Sequence, residues 1–464
     1  MDKIKKLFSG FKIPEIPLDF RRNGLAAGLT VHIVACVLLS LFAFAKGVES
    51  TDFILPIVLI GAFFLLYAQC VGCNMIMVLC ISLLMNVGTV TLVVLQPEKV
   101  SGVVDELWLA TVLAIIVTAV FSFIEKRFKT DSNKHAFFLM GAIWIVTVIL
   151  TVLLRLGDGT NGTYAWLYFG DHQLQVTSLF VPAFVLYETV LYVSPLKNKH
   201  IFSLIYMFTL AGSLFICNEL GTLIIIFFLW IINMLVFGEL ANSLKVIGIF
   251  GGLGGIAIGI CAIAKSRVNH LTELGETAGS LTMFLSQVFS KISKRITEWI
   301  NIKELPEYEQ SAKAWRGIFR GGLLGTNNEV AIGHEIYDYT FAAILQRMGF
   351  LFGLIIVFLY VLFFFTALKK LSDKGYRTIS TFSNIFAVGS LIAFFVSSII
   401  PIFTNTAFFP LIGVSLPLIS SGVSSGLISR FFIFVVILSC KERLLFKPIN
   451  FSKSRKKTNE PLVR

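Results

Sequence analysis

The chain has 464 residues, 56% of them hydrophobic and only 14% charged, against roughly 25% charged in an ordinary soluble domain. With a mean hydropathy of +0.84, this composition excludes a soluble enzyme, a disordered chain and a disulfide scaffold. The net charge of +12 sits in short segments between apolar runs, the pattern of cytoplasmic loops, so no nucleic-acid partner is expected.

A basic segment, 1–23, leads into the first apolar run. The runs predict an all-α polytopic membrane protein of about twelve spans, each with the roughly 20 mostly apolar residues that a crossing needs. The spans fall near 24–46, 53–70, 73–95, 107–124, 136–154, 174–194, 201–217, 220–238, 245–264, 341–367, 384–405 and 425–441. Unbroken runs such as Leu220–Phe237 do not fit the short alternating strands of a barrel. Between 53 and 95 only Gln69, Gly72 and Asn74 mark a break. The first run is longer than a secretory h-region, so Ala43-Phe44-Ala45 reads as part of a span and not as a cleavage site. His32 within it reads as a hydrogen-bonded structural histidine. All seven cysteines lie in or beside apolar runs, and Cys70-Val-Gly-Cys73 has no second pair, so they read as small buried hydrophobes.

Loop charge orients the chain. Lys3, Lys5, Lys6, Lys12, Arg21 and Arg22 fall on one side together with Lys126, Arg127, Lys129, Lys134, Lys197, Lys199, Lys369, Lys370, Lys374, Arg377 and the basic tail. Both termini are therefore expected in the cytoplasm. The resulting organisation is N-terminal helices over 24–95, a first core block over 96–264, a large extracytoplasmic loop over 265–340, C-terminal core helices over 341–441 and a tail over 442–464. The loop holds nine basic and nine acidic residues. Within it Leu281, Phe284, Leu285, Val288, Phe289, Ile292, Ile296 and Trp299 repeat at helical spacing. That stripe fits a helix lying on the bilayer surface or packed against the bundle.

Ionisable groups at the membrane boundary are costly and mark functional candidates. Besides His32 these are Glu188, near the inner end of its helix, Glu219, at a tight outer break, and Asp338, which opens the tenth span. An Asp there also suits a simple helix cap, since a carboxylate favours the positive end of the helix dipole.

The residues around Asp338 carry a more specific signal. Gln310-Ser311, then Gly321-Gly322-Leu323-Leu324-Gly325, Asp338-Tyr339-Thr340-Phe341-Ala342 and Met348-Gly349-Phe350 resemble the SEDS family (FtsW, RodA, SpoVE), whose pattern reads QS, GGLxG, TDFIFA, EELGF. Pro410 and the run Gly413-Val414-Ser415-Leu416-Pro417-Leu418-Ile419-Ser420-Ser421-Gly422-Val423-Ser424-Ser425 resemble its GLPLPFISYGGSS. The resemblance covers roughly 160–441. The family usually has ten spans, so the first two helices look like an addition to a ten-helix core.

The resemblance implies a lipid-linked glycosyltransferase that polymerises peptidoglycan strands from lipid II, in cell division or cell shape. It also implies a class B penicillin-binding protein as transpeptidase partner. The family's essential outer aspartate maps onto Asp338. A carboxylate there can take a proton from an attacking sugar hydroxyl, or hold a divalent cation against the leaving pyrophosphate. Glu219, Gln310, Ser311, Ser420, Ser424 and Ser425 are the substrate-binding candidates. The amides of 420–425 suit an anionic group. Departures are concentrated among the cavity charges. QPSE…K becomes Gln175-Val176-Thr177-Ser178 with Val181 in place of Lys, and Ala165 stands where an Arg precedes the loop Trp. QPDLGT becomes Cys217-Asn218-Glu219-Leu220-Gly221-Thr222, EE becomes Gln346-Arg347, and Ser421 replaces a Tyr. Two alternatives follow: a non-catalytic scaffold that recruits a transpeptidase, and a flippase of lipid-linked precursors, because broken helices around a charged cavity also serve transport.

Overall fold

The computed structural model describes residues 20–125, 133–157, 163–169, 172–326, 331–373 and 381–440. Most of the two basic termini and the Lys126–Lys129 cluster lie outside them. About four-fifths of the described chain is helical, as expected for a chain that must satisfy its own backbone inside a bilayer.

The helices α1 (Phe20–Ala45), α2 (Ile54–Val71) and α3 (Met75–Leu95) come first. The uncertain break falls at 72–74. Gly72 closes α2 in the left-handed region (φ 66°), and Asn74 caps α3 by accepting the Ile76 and Met77 amides at 2.9 and 3.3 Å. α3 is buried along most of its length and forms the centre of the bundle. His32 of α1 bonds Ser82 of α3 at 3.0 Å and the Val58 carbonyl of α2 at 3.2 Å, so it is the structural residue expected. Gly61 makes room for it, because a Cβ at that position would collide with the imidazole.

A 3₁₀ turn leads into α4 (Val100–Glu125), followed by α5 (Asn133–Leu156) and a two-stranded antiparallel hairpin, β1 (Trp166–Phe169) and β2 (His172–Gln175), with Trp166 opposite Gln175. Next come α6 (Phe180–Val193), α7 (Lys199–Ile216), α8 (Leu220–Phe237) and the long α9 (Leu240–Glu273), which runs nine residues past its predicted end at 264. The large charged loop folds into α10 (Ser280–Ile300) and α11 (Gln310–Gly321). After it come α12 (Thr340–Arg347), α13 (Phe350–Asp373), α14 (Thr381–Asn405) and α15 (Val423–Ser439).

Ten described helical segments are long and apolar enough to cross a membrane, and the shorter apolar segments Ile54–Cys70 and Val423–Ser439 complete the twelve. One predicted span is corrected. The run 341–367 is not continuous: it breaks at Met348-Gly349 into the eight-residue α12 and the membrane helix α13. Gly349 turns the chain with φ 90°, and any Cβ there would strike the Leu323 carbonyl and the Gly325 amide. Gly321 likewise lies flush against the Leu345 carbonyl. The glycine run thus lets α11 and α12 meet backbone to backbone, which hydropathy cannot register. The outward faces of α1 and α9 are apolar and exposed, for example Val34, Leu38, Ile256 and Ile263, as befits lipid contact.

Candidate active site

The amphipathic loop helix α10 decides what the site contains. Its apolar stripe packs on the bundle. Val288 is buried and Phe284 meets Phe215 edge-on at 5.6 Å, while Leu281, Ile296 and Trp299 stay exposed. One turn apart on its flank, Lys291 and Arg295 turn inward. Lys291 Nζ donates to the Asn218 carbonyl at 2.8 Å and Thr163 Oγ1 at 3.2 Å, and Arg295 Nη1 donates to the Ile412 carbonyl at 3.2 Å. Sequence reading saw only the apolar face. The signal available was a basic pair at i, i+4 beside that stripe.

Two carboxylates face these cations. Glu219 stands in the turn between α7 and α8, after Asn218 in the left-handed region (φ 54°), and its Oε1 accepts the Thr222 amide at 3.4 Å. Burial raises its pKa above the usual carboxylate value, against Lys291, the Thr222 hydrogen bond and Arg295, which pull it down. In turn, burial and then Arg295 lower the Lys291 ammonium, and Glu219 raises it. Each charge thus favours the ionised form of the other.

Asp338 lies on the far side of Arg295. Burial pushes its carboxyl above the ordinary range, while His334 and then Arg295 draw it back. Its backbone is fixed from a distance: Asn405, the last residue of α14, donates Nδ2–H to the Asp338 carbonyl at 2.8 Å and accepts the Ala342 amide on Oδ1 at 3.0 Å. That second bond is the one an N-terminal cap would make. Asn405 therefore caps α12, and the simple capping reading of Asp338 falls. No hydrogen bond within the described residues reaches the Asp338 carboxylate, which points at the segment before α15. Gly413 there is left-handed (φ 67°), and a Cβ on it would sit 3.2 Å from Asp338 Oδ2.

The other predicted residues surround this centre without entering it. Gln310 Oε1 accepts the Gly333 amide at 2.7 Å, and Ser311 Oγ lies 3.3 Å from Glu298 and 3.4 Å from the Tyr339 hydroxyl, so both tie α11 to the Asp338 loop. Ser420 donates to the Tyr337 carbonyl and Thr340 Oγ1 at 3.0 and 2.8 Å. Ser424 Oγ accepts the Gln175 amide at 3.0 Å, and Ser425 bonds the Gly422 carbonyl at 3.1 Å. The amides of 420–425 were expected to face an anion. The anion that Gly422 meets is the protein's own, because its N–H donates to Glu106 Oε1 while Ser421 Oγ donates to Glu106 Oε2 at 2.7 Å. Glu106, with the buried Arg430 near it, was not singled out from sequence; an acid nearly two turns into an apolar helix was the available cue. Glu188 does not reach the headgroups: it is 2% exposed and accepts Ser203 Oγ at 2.7 Å, with Trp230 Nε1 donating to the same hydroxyl at 2.9 Å. Arg347 of the altered EE pair bonds Glu335 at 3.3 Å.

Glu219 gives a first test. Its cap needs only an oxygen, whereas its pairing with Lys291 and Arg295 needs a negative charge. Glu219→Gln, which keeps the cap, is expected to lower activity about tenfold, the scale of one charge-assisted hydrogen bond. Glu219→Asp should retain most of it. A fully active Gln variant, assayed on purified protein, would reduce Glu219 to its capping role.

These features define a polytopic membrane protein with a charged, half-buried site between a loop helix and the ends of its transmembrane core. The FTSW_RODA_SPOVE model, described as cell cycle protein, matches residues 71–443. The chain belongs to that family. The fold is shared with solved structures. A chain from a structure described as the structural coordination of polymerization and crosslinking by a peptidoglycan synthase complex is 16% identical, with a TM-score of 0.55 over 79% of this chain and 98% of that one. Rod shape determining protein RodA of Thermus thermophilus is 15% identical, with a TM-score of 0.51 over 80% and 97%. An aspartate-to-alanine mutant of that protein is 16% identical, again with a TM-score of 0.51. Among curated proteins no sequence matches.

Proposed function

We propose that this protein polymerises glycan strands from lipid II at the outer face of the cytoplasmic membrane, with Asp338 as the general base. The observation that carries this reading is the division of labour at α12. Asn405 does the capping, so a partly desolvated carboxylate is left without a hydrogen bond among the described residues, beside His334 and the Arg295 guanidinium. Desolvation makes a carboxylate a stronger base, and a base held near its working pH transfers protons well. In the reaction the acceptor hydroxyl oxygen bonds to the anomeric carbon of the donor. The bond from that carbon to the lipid pyrophosphate breaks, the hydroxyl proton passes to Asp338, and the lipid pyrophosphate leaves. Lys291 and Arg295 would take up charge on the departing pyrophosphate, since cations placed where charge develops lower the barrier. They supply positive charge in a family member that has Val181 in place of the usual lysine.

Among the described residues no three His, Cys, Asp or Glu side chains gather to hold a divalent cation by themselves; one at this site would take Asp338 and the substrate pyrophosphate as ligands. No step is routed through a metal. A class B penicillin-binding protein is the partner that the likeness to a chain of a peptidoglycan synthase complex supports. The test is polymerisation of labelled lipid II by the purified protein, alone and with such a partner. Glycan ladders are expected; their absence under both conditions would favour the scaffold, and lipid scrambling in vesicles without polymer would favour the flippase.

The orientation is tested separately. In intact cells Lys303→Cys in the loop should react with an impermeant maleimide, whereas Lys369→Cys at the end of α13 should react only after lysis. The reverse pattern would put Asp338 in the cytoplasm and remove it from extracytoplasmic chemistry.

A further inference from the structure

We propose that the cavity at the end of the bundle opposite Asp338 binds a phosphodiester that carries a free hydroxyl, the chemistry of a phosphatidylglycerol-type headgroup. α14 connects the two ends: Asn405 holds Asp338, and Asn384 lines the cavity. At 1.5 Å per residue that stretch of helix spans about 32 Å, one bilayer core. The cavity measures about 650 Å³, within the roughly 300–1,000 Å³ of small-molecule sites. It lies among the last residues of α6 and α8 and the first residues of α7, α9 and α14.

Three features of its wall call for a ligand with both acceptors and donors. α7 begins on Lys199 with no side-chain cap, its preceding residue Asn198 being left-handed at φ 56°. A lysine is the wrong sign of charge for the positive end of a helix dipole, and no described carboxylate forms an ion pair with it; its Nζ reaches only the Tyr192 carbonyl, at 2.7 Å. An anion at that point would satisfy the first-turn amides and the ammonium together, as phosphates do at helix N-termini. Asn384 is only 8% exposed, and its Oδ1 has no hydrogen-bond partner. Glu239, which already accepts Asn242 Nδ2 at 2.7 Å, adds a second acceptor. A bare phosphate offers nothing to these two oxygens and is repelled by one of them, whereas the two free hydroxyls of a glycerol headgroup can donate one to each. Leu196, Val236, Phe237 and Val388 provide an apolar wall along which an acyl chain can leave towards the bilayer.

The probe is short-chain phosphatidylglycerol titrated into delipidated full-length protein in detergent, with phosphatidylcholine of the same chain length as reference. Phosphatidylglycerol should bind about tenfold more tightly, the scale of a charge-assisted hydrogen bond. Lys199→Gln and Asn384→Leu should each abolish most of that preference while thermal unfolding stays cooperative, and Asp338→Asn should not alter it. Competition by millimolar glycerophosphoglycerol, a soluble phosphodiester with free hydroxyls, would assign the site to a soluble ligand of the same chemistry; failure to compete would assign it to the lipid. Equal affinity for the two lipids together with no glycerophosphoglycerol binding, or an unchanged preference in Lys199→Gln, would overturn the proposal. Because the readout is binding at the end remote from Asp338, it is independent of whether the protein polymerises glycan.

Discussion

Asp338→Asn is expected to lower glycan polymerisation by about 10²-fold or more, the usual scale for losing a positioned base, with membrane abundance and unfolding temperature unchanged. The structure sharpens this expectation. A cap would tolerate Asn, but the cap of α12 is Asn405, so Asp338→Asn removes charge without removing a structural bond. The converse variant, Asn405→Leu, deletes the cap and the bond to the Asp338 carbonyl, and should cost on the order of 1 kcal/mol of stability. Its activity should also fall, because the Asp338 backbone loses its tether. An active Asp338→Asn variant made at normal levels would exclude the general-base mechanism and favour a scaffold.

Arg295→Gln should have the second-largest effect, through two separable routes. Substrate binding should weaken about tenfold or more, as expected when a partly buried cation that meets a pyrophosphate is lost. The pH profile should move as well. Burial raises the Asp338 acid and Arg295 lowers it, so removing Arg295 lets that acid rise further. The base must be ionised to act, and the acidic limb of kcat against pH should therefore shift to higher pH. Arg295→Lys keeps the charge and should leave the limb near its wild-type position. A limb that does not move in Arg295→Gln would mean that Asp338 is not the titrating base. A limb shift without a KM change would confine Arg295 to tuning Asp338 and remove it from substrate binding.

Much of the frame was legible in the sequence, because a span is a local property. A helix in lipid must satisfy its own backbone within one segment and present apolar side chains around it, so hydropathy finds it without knowledge of its neighbours. The 72–74 break followed from Gly72 and Asn74 for the same reason, since turn and cap act over three or four residues. The two motif blocks around Asp338 and Ser420–Ser425 were visible as patterns, and Asp338 as a charge at a membrane boundary. What those side chains do was not visible. Ser424 reads as a ligand group in a glycine- and serine-rich run, yet its hydroxyl holds the hairpin before α6.

The sequence by itself determined the membrane class, the approximate twelve crossings, the large charged loop and the candidacy of Asp338 and Glu219. Tertiary structure decided the rest. It turned Lys291 and Arg295 from a solvated flank into partners of Glu219, with Arg295 also acting on Asp338, which depends on how α10 docks. It split α12 from α13 at Gly349, where backbones touch too closely for any Cβ. It also moved the capping of α12 to Asn405, 67 residues from Asp338, and gave the Gly422 amide to Glu106, 316 residues away. The physical reason is the same in each case. A buried polar group must find a partner, and in a bundle that partner comes from whichever helix packs alongside, which spacing along one helix does not encode.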